Sequence, residues 1–162
     1  MPISLRPVEP TDEGFLYDVY ASTRTEELAP VPWTDGQKAA FLRQQFTAQH
    51  RYYQEHYRDA RFEIILRDGE PVGRLYVARW PEEIRIVDIA LLPAHRYAGI
   101  GSQLLRELLA EGAATGKRVS IHVERFNPAM RLYQRLGFSD VADRGVYVMM
   151  EWTPDPSSRA AT

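Results

Sequence analysis

Seven residues, Arg96-Tyr97-Ala98-Gly99-Ile100-Gly101-Ser102, stand between an apolar run ending at Leu92 and an amphipathic run beginning at Ile100. Main-chain N–H groups in such a turn, with the unpaired N–H groups of a first helical turn, make a seat for an anion. Gly99 and Gly101 lack a Cβ and let the main chain close on a phosphate. Arg96 adds a charged donor at the entrance. The same glycines also serve a plain strand-to-helix turn, and spacing alone leaves both readings open. Neither glycine-rich nucleotide fingerprint is present: no Gly-Lys-Ser/Thr follows, and the three-glycine dinucleotide pattern is incomplete.

Other residues offer proton chemistry. His122 and Glu124 fall on one face of a strand whose other face is Val119, Ile121 and Val123. Histidine titrates in the useful range, so this pair suits a general base, or equally a hydrogen-bonded surface pair. Tyr133 on a short helix is either a proton donor or a core aromatic with a satisfied hydroxyl. Asp88 interrupts an apolar strand, which points first to structural pairing with an arginine. Glu82 and Glu83 read as a solvated turn. The four histidines, His50, His56, His95 and His122, are too scattered for a metal site, and no metal is expected. The aromatic and polar mixture from His50 to Tyr57 suggests nucleic-acid stacking, but Tyr53 and Tyr57 continue a helical stripe and read as packing. Trp33 and Trp80 either line a substrate cleft or cap the core.

These residues need elements to hold them. The spacing predicts a strand over 3–6, a helix over 12–23 and a Pro-rich loop over 29–33. A helix then runs from the Thr34 cap to about Tyr57 on a Phe41, Leu42, Phe46, Tyr53, Tyr57 stripe. Strands follow over 61–66 and 72–80, joined at Asp68-Gly69, and over 84–92, apolar on nearly every residue and so central. A helix over 100–114 with core face Leu104, Leu105, Leu108 and Leu109, a strand over 117–124, a helix over 127–136 and a closing strand over 146–152 complete the pattern. The expectation is one α/β domain over 1–153, with a mixed, mostly antiparallel sheet and helices on both faces, and a flexible tail over 154–162.

Composition sets the outer limits. The 162 residues carry 20 Lys+Arg against 22 Asp+Glu, a net charge of −2, which gives no bulk attraction to nucleic acid or anionic membrane. With 44% hydrophobic and 26% charged residues the composition is that of a globular protein. The absence of cysteine excludes disulfides, thiolate nucleophiles and Cys-based metal sites. No signal-like N-terminus or bilayer-length apolar run is seen, and a cytoplasmic protein is expected, monomer or homodimer, without nucleic-acid or membrane partners.

Arg96-x-x-Gly99-x-Gly101 after a Leu-Pro strand end resembles the acyl-CoA signature of the GNAT superfamily of N-acyltransferases. Asn127-Pro128-Ala129, followed by Leu132-Tyr133 and Leu136-Gly137-Phe138, is similar to that family's second motif. The resemblance spans roughly residues 61–152. Tyr97 departs from it, standing where the family often has Gly, but only a main-chain N–H is needed there.

The resemblance implies a parallel strand pair, here 84–92 and 117–124, that splays and takes the pantetheine of acetyl-CoA between its strands. It implies that main-chain groups near Leu91 pair with pantetheine and that the N–H groups of Arg96, Tyr97, Ala98, Gly99, Ile100, Gly101 and Ser102 hold the pyrophosphate. Asn127 would bond the cofactor arm, and Tyr133 would stand near the thioester sulfur. Acyl transfer to an amine then needs a base, because freeing an alkylammonium of its proton at neutral pH costs roughly 4–5 kcal/mol. His122 and Glu124 are the base candidates and Tyr133 the acid; a main-chain N–H near Leu91 would meet the oxyanion. Without cysteine no cysteinyl acyl-enzyme forms, so direct attack by an amine-bearing acceptor is expected. The alternative is a non-catalytic acyl-CoA sensor or interaction module.

Overall fold

The computed structural model describes residues 2–155; of the tail expected over 154–162, residues 156–162 lie outside the described residues. The strands form a seven-stranded sheet in the order β1-β2-β3-β4-β5-β7-β6. They are β1 (Ile3–Pro7), β2 (Arg61–Arg67), β3 (Glu70–Arg79), β4 (Glu83–Leu91), β5 (Arg118–Glu124), β6 (Ser139–Arg144) and β7 (Tyr147–Trp152). The helices are α1 (Glu13–Ser22), α2 (Thr25–Leu28), α3 (Asp35–His56), α4 (Ile100–Thr115) and α5 (Met130–Arg135). The sheet is mostly antiparallel with one parallel pair, β4 and β5. The chain divides into two compact units that share β3 and β4: residues 1–75 with 89–96, and residues 76–88 with 97 onward.

In the first unit, β1 pairs antiparallel with β2 from Ile3–Arg67 to Pro7–Glu63. Arg6 fixes the chain leaving β1: its two terminal nitrogens donate to the two carboxylate oxygens of Asp12 at 2.8 and 2.9 Å, and the Glu9 N–H adds a third bond at 2.7 Å. Leu16, Val19 and Tyr20 of α1 are buried, and so is Phe46 of α3. A reciprocal Thr34–Gln37 box caps α3, satisfying N–H groups that a helix start leaves without partners. The stripe expected along α3 is only partly core. Phe41 is 37% exposed and packs edge-on against Trp33, their ring centres 5.4 Å apart.

In the second unit, α4 lays Ile100, Leu104, Leu105 and Leu108 inward. It comes close to β5 at Gly112, where a Cβ would meet Val119 Cγ2 and Trp152 at 3.0 Å. Gly116, at φ 71°, ends the helix in the left-handed region. β5 and β7 pair antiparallel, with Ile121 opposite Met150 and His122 opposite Met149.

Two expectations are corrected, and two elements go beyond the expected set. The strand over 146–152 does not close the sheet: β7 lies between β5 and β6, and β6 is the edge. β6 escapes a hydrophobic-pattern reading because Ser-Asp-Val-Ala-Asp-Arg is almost wholly exposed and carries a bulge between Asp140 and Ala142. The four-residue α2 is likewise too short and polar to leave a periodic signal. Glu83 is no solvated turn residue. It opens β4 at 7% exposure, accepting from Ser120 Oγ, from Arg85 at 3.0 Å and from Arg118 at 2.7 Å.

The Arg6 guanidinium pulls the Asp12 carboxyl down to about 2. A carboxylate depressed in the folded state contributes stability above its unfolded pKa of about 3.9 and loses that contribution as pH falls toward 2. Asp12→Asn is therefore expected to lower the melting temperature at pH 7, with the gap from wild type closing as pH falls from about 4 toward 2. Thermal unfolding followed by circular dichroism at several pH values checks this; a gap independent of pH would show that the ion pair is not its source.

Candidate active site

The parallel ladder is short. Its pairs are Glu83–Arg118, Ile84–Val119, Arg85–Ser120 and Ile86–Ile121, whereas both strands run further. Val87 and Asp88 of β4 and His122, Val123 and Glu124 of β5 lie beyond its last pair. The closed end is locked by a polar cluster. Ser120 Oγ donates to Glu83 and accepts from Arg85 Nε at 2.7 Å, while Arg118 bridges Glu83 and Glu151 at 2.7 and 3.2 Å. Arg85 also lies over the Trp80 ring, 5.3 Å from its centre.

Proton-active groups flank the open end on opposite faces. Strand alternation puts Asp88 with Ile84 and Ile86, on the face carrying Val119 and Ile121, against which α4 packs. Tyr133 of α5 is 5% exposed, and its ring meets Phe138 edge-on at 5.8 Å. Burial, and secondarily the negative charge of Asp88, push its hydroxyl up to about 12. His122 and Glu124 occupy the other face, opposite Met149 and Tyr147 of β7. The His122 imidazole is held below its ordinary value of 6.5, first by desolvation and then by the positive charges of Arg85 and Arg144, against an opposing pull from Glu83. At neutral pH the tyrosine is thus protonated and the histidine uncharged.

The glycine turn leads straight into α4. Gly99 is the residue before the helix, at φ 85°, and no side chain caps that end among the described residues. A Cβ built on Gly99 or Gly101 meets nothing within 4 Å, so the space over the first helical turn is open. Tyr97 adopts φ 63°, unusual for a residue with a side chain, and its ring is 99% exposed. The start of α4 thus has no side-chain cap among the described residues and has room for a side chain at both glycines.

Two other residues expected at the site have side chains engaged elsewhere. Arg96 does not reach out from the turn: Nε donates to the Leu91 carbonyl at 3.0 Å, and Nη2 donates to Ser22 Oγ at 3.2 Å and Ser22 O at 3.5 Å. Asn127 Oδ1 accepts from the Ala129 N–H at 2.8 Å, leaving its NH2 as the group it can offer a ligand. At the end of β4, Leu91 lies against Gly73 of β3, where a Cβ would meet the Ala90 carbonyl oxygen at 2.3 Å. Sequence reasoning did not single out Gly73; the only signal was a glycine inside a strand pattern. Among the described residues, no group of three or more His, Cys, Asp or Glu gathers as a metal site, and no helix is long and apolar enough to cross a membrane.

Known proteins share this fold. The acetyltransferase (GNAT) family profile matches residues 10–138. No curated protein matches the chain in sequence. Among solved structures, the PaiA N-acetyltransferase of Thermoplasma acidophilum, in complex with coenzyme A, superposes with a TM-score of 0.70 at 18% identity, over 94% of this chain and 99% of that one. A GNAT family acetyltransferase from Elizabethkingia anophelis with acetyl-CoA bound gives 0.59 at 15% identity, over 93% and 97%. The ribosomal-protein-S18-alanine N-acetyltransferase of Escherichia coli gives 0.60 at 18%, over 94% of each chain. At these identities the superpositions establish the fold, while the profile match establishes the lineage: the chain belongs to the acetyltransferase (GNAT) family.

Proposed function

We propose that the protein is an N-acetyltransferase that moves an acetyl group from acetyl-CoA to a primary amine by direct attack. The observation that carries this reading is the parallel ladder that stops after Ile86–Ile121, with a neutral acid and a neutral base on opposite faces of the sheet beyond it. Acetyl-CoA is the co-substrate and supplies the activated acyl group. The residues present fit it: the uncapped α4 N-terminus, with open space over Gly99 and Gly101, suits a pyrophosphate.

The acceptor amine arrives as an ammonium, and His122, uncharged at neutral pH, takes its proton directly or through a water. Glu124, two residues along the same face, is placed to hold an ammonium. The freed nitrogen attacks the acyl carbon; the C–N bond forms, the C–S bond breaks, and the nitrogen's surplus proton leaves as the sulfur gains one. Tyr133 donates a hydrogen bond to the departing sulfur. With its hydroxyl near 12, passing its proton outright to a thiolate of ordinary basicity is uphill by about 5 kcal/mol. Its role is therefore a hydrogen bond that strengthens as charge develops, the sulfur's proton coming finally from solvent.

Three results are expected. Gly101→Ala should fold and melt like the wild type, since its Cβ enters open space, whereas Gly101→Glu should weaken CoA by on the order of 100-fold, because a carboxylate about 4 Å from a phosphate costs several kcal/mol. Calorimetric titration with CoA reads both variants, and unchanged affinity in Gly101→Glu would move the phosphate seat elsewhere. Free thiol should appear when acetyl-CoA and a panel of primary amines are mixed with the protein, and Tyr133→Phe should slow it about 10- to 100-fold with CoA affinity kept. Binding without transfer to any amine would favour the sensor instead. The acid limb of kcat/KM should have its midpoint below 6.5 and vanish in His122→Gln, as a base whose folded pKa is lowered stays uncharged to lower pH.

A further inference from the structure

Arg96 is the one charged side chain of the glycine turn, and its three hydrogen bonds have acceptors of a particular kind. The Leu92 N–H donates to Val72 O of β3 at 2.9 Å, so alternation turns the N–H and C=O of Leu91 away from β3. The β4–β5 ladder has its last pair at Ile86, five residues before Leu91, so that ladder does not take the Leu91 carbonyl. Arg96 Nε takes it at 3.0 Å. Ser22, at the other end of the contact, is the last residue of α1, and its carbonyl is among those that a helix C-terminus leaves without an intrahelical donor. A cation is also favoured there by the helix dipole. Ser22 Oγ spends its own proton on Val19 O at 2.7 Å and so meets Arg96 as an acceptor.

We propose that Arg96 is a positioning residue that braces the Leu91 end of β4 against the C-terminus of α1, and that its side chain is not a phosphate ligand. This rests on the acetyl-CoA reading above, in which the end of β4 carries main-chain groups that the acyl donor uses. Gly73 supports the same segment from the β3 side, where any side chain would displace Ala90 and Leu91. Fixing Leu91 from both sides gives its outward N–H a set direction, which a donor to a developing oxyanion needs.

The test uses Arg96→Gln, Ser22→Ala and the double variant in the full chain. It measures CoA affinity by calorimetry at low and high salt, kcat with an amine that the wild type acetylates, and melting temperature. The brace predicts that Arg96→Gln lowers kcat about tenfold while CoA affinity stays within about threefold at either salt. It also predicts that Ser22→Ala lowers kcat in the same direction and that the two substitutions together cost less than their product. A phosphate ligand predicts the reverse: CoA binding tenfold or more weaker at low salt, recovering with salt, and a Ser22→Ala variant that behaves as wild type. Either of those results overturns the brace. Should Arg96→Gln fail to fold, Ser22→Ala alone still separates the two roles. Failure of every amine to be acetylated would count against the acetyltransferase reading; non-additive melting temperatures and salt-independent CoA affinity would then still uphold the brace, and their opposites refute it.

Discussion

A parallel pair of strands closed at one end and unpaired at the other is the constraint on which the rest depends. The closed end is held by Glu83, a buried carboxylate that would be strongly unfavourable if any partner were missing. Ser120 and Arg85 share one hydrogen-bonded ring with it, and Arg118 reaches it from the first residue of β5. Every partner lies in the first residues of β4 or β5, so the cluster fixes the register of the two strands where they meet. Only four residue pairs follow from that register before the ladder ends. Anchoring by charged side chains at one end lets the backbone pairing be short without leaving the strands free to slide.

That geometry sets the electrostatics. Beyond Ile86–Ile121 a tyrosine sits on the α4 side and a histidine on the other, and desolvation leads the shift of both. Burial disfavours the charged form of either group: it raises an acid that ionises to an anion and lowers a base that ionises to a cation. Neighbouring charges push the same way, Asp88 on Tyr133 and Arg85 and Arg144 on His122. Burial of Tyr133, and at the more exposed His122 partial desolvation together with two positive neighbours, thus favour a protonated donor and an unprotonated acceptor at the same pH. Catalysis of acyl transfer to an amine requires that combination at the start of the reaction.

Much of this is legible in the sequence, and the remainder is hidden for identifiable reasons. The Asp68-Gly69 hairpin follows from turn chemistry, both residues taking positive φ, and the α4 core face and the His122/Glu124 alternation follow from spacing enforced by burial on one side. β6 leaves no signal because an edge strand with polar residues on both faces has no period to detect. Glu83 is hidden because a glutamate after Pro-Glu looks like turn chemistry; its burial depends on Ser120 and Arg118, more than thirty residues away. The helix expected from Asn127 begins at Met130, the asparagine closing the turn before it.

Arg96 shows the deeper limit. A motif position tells which residue type is wanted, and an arginine beside two glycines reads naturally as a phosphate ligand. Its bonds go instead to main-chain and serine acceptors that strand and helix ends leave unsatisfied, and those ends come together only in the folded chain. This bears on the near-zero net charge. The seat proposed above, built from N–H dipoles at the start of α4, would owe nothing to the count of lysines and arginines, so composition carries no information about it in either direction. What composition registers is side-chain charge, and here the side-chain charge nearest the turn is engaged in holding the end of a strand.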